Sequence, residues 1–540
     1  MPNEAYPKKQ SKLGAWFSGP YRPGLTKPAM WLIIAMAICA VWANNGMDND
    51  SYYMIPQGQE ILASGIPEFN TYTYHGARTV VQQWLYCISM YLSDSLAGNI
   101  GLMAFMLIQA LALFWLMERY LRKAVGDPFW SWLAATGILS TCSLTYFTSL
   151  RPENITLILM LLQCMALERY RDTKHKRYLA ALPAIMLAEA NLHISMWPIH
   201  ACIYAAYLVP AIFPWLQKKA KLAEKTGLDI CPGYLKKDWP DPDPALYTAA
   251  AASMLMLFLN PYGLDGVMYL FRSMPVFSVI AMSEQQPPTM ISTLALLNII
   301  LFISLWILLK NKKIGAVEAC MAVGLTALAC TNYHNSMFLA IAAANLVRPA
   351  FRALSEKDPA KAADLMPNGL KTIVCTGLAI AACVTAMITV PNIQDFKDKP
   401  GMDPMIEYVA NNKRQSGNIL NNMNAGPMLE YAGVRGLYGD TRPELLLDSI
   451  GKTGENPCLV LAWLCSGYMP EEIEESYGSI ETYLDEHDIQ YIIDEDTSPV
   501  MTWLDGWLTA SGDWEKISFE SALLAEEDGL GEAYCVWQRK

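Results

Sequence analysis

Six short polar segments interrupt the apolar stretches of this chain and hold nearly all the side chains able to do chemistry. They are Met47-Asp48-Asn49-Asp50-Ser51-Tyr52-Tyr53; Arg151-Pro152-Glu153-Asn154; Asn191-Leu192-His193; Asn260-Pro261-Tyr262-Gly263; Ser283-Glu284-Gln285-Gln286-Pro287-Pro288; and Asn332-Tyr333-His334-Asn335. Asp48 and Asp50, two residues apart, can take a proton or hold a cation. Arg151 can hold an anion through a bidentate guanidinium. His193 and His334 can donate, accept or ligate a metal. Taken singly, each has a plainer reading: a helix-end histidine, an ordinary Asn-Pro-Tyr-Gly turn, an interfacial arginine. Two carboxylates directly after an apolar stretch are nonetheless costly unless they serve something.

The elements that position these segments are long and apolar. Over 540 residues, 53% are hydrophobic and the mean hydropathy is +0.19, too apolar for one soluble domain. Eleven stretches stand out, at 29–46, 98–117, 128–148, 154–168, 178–190, 196–216, 245–260, 291–309, 314–331, 336–347 and 370–391. Most have the length needed to cross a bilayer of roughly 30 Å. The first follows an arm of nearly thirty residues, and its cleavage-like Val41-Trp42-Ala43 has a Trp beside the cut. It therefore reads as a retained helix rather than a signal peptide.

Lys and Arg give the orientation. With the N-terminus inside, the inner segments hold almost all the cations, from Lys8 through Arg119, Arg169, Lys218 and Lys310 to Arg348 and Lys371. The outer turns hold only Arg78, Arg151 and Arg272. All six polar segments then fall on the outer side, and that convergence separates them from scattered structural polar residues.

These observations imply an α-helical polytopic membrane protein with about eleven transmembrane helices. The expected parts are a cytoplasmic arm over 1–28, a transmembrane body over 29–391 with an outer loop at 47–97, and an extracytoplasmic α/β domain over 392–540. The last part carries 28 acidic against 10 basic residues, leaving +7 for residues 1–391 out of the chain's −11. So acidic a domain gives no reason to expect nucleic-acid binding. The thirteen cysteines, mostly within apolar stretches, read as free thiols.

In the outer loop, Gln59 to Ala63 predicts a helix stopped by Gly65-Ile66-Pro67, and Thr71-Tyr72-Thr73-Tyr74 a short extended segment. Residues 84–92 predict a separate interfacial helix, too short to span. In the tail, Asn418–Asn422, Gly436–Asp440, Gln490–Asp494 and Glu532–Trp537 predict strands, and Gly426–Tyr431 a short helix. Together they suggest a small mixed sheet.

The order of these motifs resembles the bacterial polytopic GT-C glycosyltransferases, relatives of the protein mannosyltransferases and oligosaccharyltransferases. The resemblance runs through Asp48-x-Asp50-x-Tyr52-Tyr53, Gly65-Ile66-Pro67, Tyr72-Thr73-Tyr74, Gln83-Trp84-Leu85, Arg151-Pro152 and Asn191-Leu192-His193. It continues through Asn260-Pro261-Tyr262-Gly263, Glu284 with Pro287, His334 to Phe338, Asn421-Asn422 and Asp440-Thr441-Arg442. The chain departs from the relatives at Met54, at Gln82-Gln83 where they often carry His-Glu, and at Asp440-Thr441-Arg442 where Asp-Gly-Arg is usual.

The resemblance implies an inverting glycosyltransferase of the bacterial plasma membrane, moving a hexosyl or pentosyl group from a polyprenyl-phosphate donor. The acceptor would be an extracytoplasmic glycan, lipid or protein. One of Asp48 and Asp50 would be the base, Asp50 being favoured, and the other an orienter or metal ligand. Arg151, His193, Asn191, His334, Tyr262 and Glu284 would bind the donor's phosphate and sugar. A divalent ion, Mg or Mn, at Asp48 and Asp50 is an open element of this reading. Two other classes stay open: a transporter or flippase for a lipid-linked saccharide, and a non-catalytic envelope-assembly protein. A transporter should show internal repeats and polar groups near the membrane midplane. The sequence shows neither.

Overall fold

The computed structural model describes residues 23–45, 47–142, 149–220, 243–274, 295–311, 314–331, 334–357, 368–389, 402–412, 417–446, 460, 471–495, 502–519 and 534–540. Each of the eleven apolar stretches contains a helix within these residues. The helices are α1 (Pro23–Asn45), α2 (Asn49–Ser64), α3 (Trp84–Val125), α4 (Pro128–Cys142), α5 (Glu153–Thr173), α6 (Arg177–Leu192) and α7 (Trp197–Ala220). They continue as α8 (Pro244–Met256), α9 (Leu264–Ser273), α10 (Ala295–Asn311), α11 (Ala316–Ala329), α12 (Leu339–Lys357) and α13 (Asn368–Thr389). Helices α2 and α9 lie in connections between the apolar stretches. Helix α13 packs along α1, so the last apolar helix meets the first.

Among the described residues, two helical stretches are long and apolar enough to cross a membrane by length and composition, Trp84–Val125 and His334–Leu354. The shorter apolar helices present Phe302, Trp306, Val323, Ile380, Met387 and Ile388 on the outside of the bundle, each more than half exposed. An aqueous surface would not favour so much apolar area.

Many polar contacts between helices fall into two groups, while others, such as Tyr204 to Ser253 and Gln163 to His200, lie between them. One group joins turns expected outside: Arg151 to Asp48, His334 to Glu153, Asn191 to the Leu259 carbonyl, and Tyr262 to the Pro67 carbonyl. The other joins turns expected inside: Arg171 to Glu318, Arg348 to Glu168, Lys371 to Asp127, and Tyr170 to Asp243.

The expected short helix at 84–92 is present as the first segment of α3, and non-helical Ala97 and Gly98 separate it from the apolar stretch that follows. Gly98 has φ +56°, a conformation closed to most L-residues, which suits it to this break between two helical segments. Around the break Leu96 and Ile100 are exposed.

One expectation is corrected in the tail. Residues Gly436–Asp440 form no strand of the sheet. Leu437 makes only isolated parallel bridges, to Thr73 of the outer loop and to Ile419. The sheet consists of β1 (Asn418–Asn421), β2 (Ile489–Glu495), β3 (Trp514–Phe519) and β4 (Tyr534–Arg539), in the order β1-β2-β4-β3. Strand β1 is parallel to β2, and the other two pairs are antiparallel, so the sheet is mixed as expected. Strand β3 was not expected from the sequence.

The tail rests on the 47–97 loop. The short helix α14 (Gly426–Tyr431) packs on α2, with the Tyr431 and Tyr52 ring centroids 5.7 Å apart. One continuous apolar cluster includes Met30, Tyr53 and Phe114 of the body and Met428, Leu437 and Val536 of the tail.

Candidate active site

Asp48 is the N-cap of α2, its side chain accepting from the Asp50 backbone N–H at 3.1 Å. An aspartate suits that place because the first turn of a helix leaves N–H groups unpaired. Gly65, with φ +85°, closes the helix through the Ile61 carbonyl, as the Gly-Ile-Pro stop signal predicts. Asp50, two residues into the helix, points to the same side as Asp48. Arg151 reaches both: its Nη2 lies 3.0 Å from Asp48 Oδ1 and 3.3 Å from Asp50 Oδ2. Ser51 anchors the arrangement by donating to the Leu150 carbonyl at 3.0 Å. The guanidinium is buried, while the two carboxylates keep about a quarter of their side-chain surface.

The tail completes the cluster. Thr441 donates its hydroxyl to Asp50 Oδ1 at 2.6 Å, and Asn49 donates to the Asn424 carbonyl at 3.0 Å. Beside Thr441, Arg442 is buried in a network that spans tail and outer loop. It bonds Asp440 Oδ2 (2.7 Å from Nε), Gln57 Oε1 (2.8 Å) and Glu430 Oε1 (2.5 Å), and its guanidinium lies 4.6 Å from the Tyr53 ring centroid. The backbone of α14 comes so close to residues 439 and 440 that a Cβ on Gly426 would meet the Gly439 carbonyl oxygen at 2.4 Å.

One cation here faces three acidic groups, and burial resolves the imbalance. It pushes the Glu430 carboxyl well up, with Arg442 opposing, and pushes Glu444 up to about 7 against the same opposition. Both groups are thus moved toward their neutral forms, and Asp440 makes the charged pair with Arg442.

The remaining expected residues divide by position. His334 places Nε2 3.3 Å from Glu153 Oε1 at the start of α5. This ties it to the Arg151 turn. His193, at the end of α6, is within electrostatic reach of Glu153 and Arg151 and bonds Thr156 Oγ1 through Nδ1 at 3.0 Å. Asn191 accepts from Trp84 Nε1 and donates to the Leu187 and Leu259 carbonyls, joining three segments. Tyr262 donates to the Pro67 carbonyl at 3.0 Å, holding the outer loop to the Asn-Pro-Tyr-Gly turn. These two therefore do structural work in the wall of the site. Glu284 lies outside the described residues.

Gln83, at one of the departures from the relatives, donates to the Tyr53 hydroxyl at 2.8 Å, so it supports the ring on which Arg442 stacks. Thr441, Glu153, Thr156 and Glu189 are members of the constellation for which the sequence suggested no role. Glu153 and Thr441 sat inside recognised motifs. The others become neighbours of the site only through the packing of distant segments.

A divalent ion bridging Asp48 and Asp50 does not fit this arrangement. One nitrogen of Arg151 stands within bonding distance of both carboxylates, in the place such an ion would take. Among the described residues, no three His, Cys, Asp or Glu side chains converge to hold a metal. Nine of the cysteines, from Cys39 to Cys535, are free thiols.

No protein-family model and no curated protein sequence matches the chain. Solved structures do. The oligosaccharyltransferase of Archaeoglobus fulgidus, tethered to an acceptor peptide containing the NVT sequon, aligns with a TM-score of 0.50 at 12% identity. The match covers 86% of this chain and 69% of that one. The same enzyme in complex with Zn and sulfate gives 0.47 at 13%, covering 86% and 68%. ArnT from Cupriavidus metallidurans, bound to undecaprenyl phosphate, gives 0.47 at 10%, covering 95% and 98%. At such identities the likeness is one of fold: the chain shares the fold of the first of these structures.

Proposed function

We propose that this chain is a multi-pass membrane glycosyltransferase that transfers a sugar from a polyprenyl-phosphate donor to an acceptor outside the cytoplasm. The observation that carries the reading is the Asp48–Asp50–Arg151 cluster, set where the outer turns converge and closed by Thr441 from the tail. The two groups of polar contacts support an eleven-span topology with the N-terminus inside and the tail outside. The fold neighbours act in the same direction, one being an oligosaccharyltransferase and another binding undecaprenyl phosphate.

In this reading Asp50 is the base. It has both oxygens oriented, by Thr441 and by Arg151, and a carboxylate retains further lone pairs to take a proton. The acceptor hydroxyl attacks the anomeric carbon as its proton passes to Asp50. The bond from that carbon to the phosphate oxygen breaks, and its electron pair leaves with the lipid phosphate. A single displacement inverts the anomeric centre. Asp48 orients Asp50 and Arg151. The charge gained by the departing phosphate falls to Arg151, which can exchange an aspartate for a phosphate oxygen. No step is assigned to a metal, since the cation between the aspartates is Arg151 itself.

The transporter reading is less well supported, because Thr156, Glu189 and His200, which adjoin the site, lie within about one turn of the helix ends expected outside, with Gln163 alone of that group lying deeper. The test is to offer purified protein a panel of polyprenyl-phosphate sugars with candidate acceptors. Release of lipid phosphate together with a product of inverted anomeric configuration supports the reading. A retained configuration, or lipid-linked sugar crossing the bilayer intact, overturns it.

A further inference from the structure

Helices α5, α6 and α7 bury a group of polar side chains that the proposed displacement does not use: Thr156, Gln163, Glu189 and His200, none more than slightly exposed. Ionisable groups at such a place need a reason. Their bonds run in one direction. Gln163 must turn its amide nitrogen to the His200 carbonyl (3.2 Å), which only accepts, so its oxygen faces His200 Nδ1 at 2.7 Å and that nitrogen carries a proton. His200 Nε2 then faces Glu189 Oε2 at 3.4 Å. One proton between these two leaves the pair neutral overall, the cheapest state for a buried couple.

Glu189 Oε1 receives the Thr156 hydroxyl at 2.8 Å. A hydroxyl has one hydrogen. Having given it to Glu189, Thr156 can only accept from His193 Nδ1, 3.0 Å away. The opposite arrangement would need a protonated Glu189 donating to Thr156. It would leave either two lone pairs facing each other or an uncompensated positive charge at His200. Beside His193 stands Glu153, whose Oε2 is buried with no hydrogen-bond partner among the described residues.

We propose that Thr156 and Glu189 are positioning residues that keep the His193 proton on Nδ1, so that a bare Nε2 and Glu153 Oε2 together receive hydroxyls of the carried sugar. Two adjacent acceptors select hydroxyl donors and repel phosphate oxygens. His193 and Glu153 thus read the sugar, and Arg151 is left to the phosphate. This deepens the proposed function and rests on it for the identity of the ligand, though the tautomer itself does not.

The test has two readouts. Solid-state 15N spectra of histidine-labelled protein in liposomes at alkaline pH, with His193 assigned by difference from His193→Gln, report which nitrogen holds the proton. The wild type and Thr156→Ser should show His193 protonated at Nδ1, and Thr156→Val should show it moved to Nε2. An Nε2 proton in the wild type, or identical spectra for Thr156→Val, overturns the proposal. With a sugar donor, Thr156→Val should lower kcat/KM by about 10- to 100-fold, the usual loss for an orienting partner, and Thr156→Ser should restore it. Binding of undecaprenyl phosphate without sugar should be the same in all three. Weakened binding of the bare lipid phosphate in Thr156→Val would overturn the assignment to sugar. The expected spectra with no turnover of any donor would instead count against the glycosyltransferase reading alone.

Discussion

Replacing Glu444 by Gln should remove a large part of the protein's loss of stability with rising pH. Glu444 is buried where the tail meets α9, and the Tyr269 hydroxyl donates to its Oε2 at 2.5 Å. Burial pushes its carboxyl from an ordinary value of 4.5 up to about 7, with Arg442 and the Tyr269 bond pulling the other way. The sign follows from proton counting. Between pH 4.5 and 7 the folded form keeps the proton and the unfolded form has lost it, so folding is favoured at the acid end and weakens as pH rises. The slope is about −1.4 kcal/mol per pH unit, a total of about 3 kcal/mol lost by pH 7 and constant above it. Gln keeps the oxygen that accepts from Tyr269 and has no proton to lose. Chemical unfolding in detergent, followed by tryptophan fluorescence from pH 5 to 8, should give nearly equal stabilities at pH 5 and a lead for Glu444→Gln that grows to pH 7. Parallel curves for the two proteins would refute the reasoning.

Other perturbations bear on neighbouring parts of the account. Arg442→Met strands Asp440 and leaves Gln57 and Glu430 without their donor, which should cost about 3–5 kcal/mol. It should appear as rapid proteolysis within 392–540 while the helical body stays protected. Gly98→Ala meets no neighbour within 4 Å but must adopt φ +56°, so it should destabilise by about 1–3 kcal/mol, read from the unfolding midpoint. Chelation by EDTA should leave the turnover rate unchanged, because Arg151 already stands between the two aspartates. A rate restored only by Mg or Mn would show otherwise.

The helical body was legible because its signals are local. Each apolar stretch announces its helix, and the Asp48 cap and Gly65 stop bound α2. The short helix at 84–92 was legible too, from its aromatic residues and limited length, and Ala97 and Gly98 divide it from the apolar stretch. In the tail, Gly436–Asp440 has the composition of a strand, yet it lies against Thr73 and Ile419 by single bridges. Strand β3, with Lys516 and Ser518 between Trp514, Ile517 and Phe519, lacks a clean alternation. The aspartate pair and Arg151 could be found from residue type and side. Thr441 could not, because it meets Asp50 across 391 positions of sequence. The same holds for Thr156 and Glu189, whose meaning depends on the direction of single hydrogen bonds between helices.

The central claim is that an outer-loop aspartate, oriented by Arg151 and Thr441, takes the acceptor's proton. Single-turnover release of polyprenyl phosphate, with a donor the wild type accepts, tests it most directly. Asp50→Asn should slow the release by at least about 100-fold, the contribution expected of a general base, with donor binding largely kept. Release at the wild-type rate by the Asp48→Asn/Asp50→Asn double variant would contradict it.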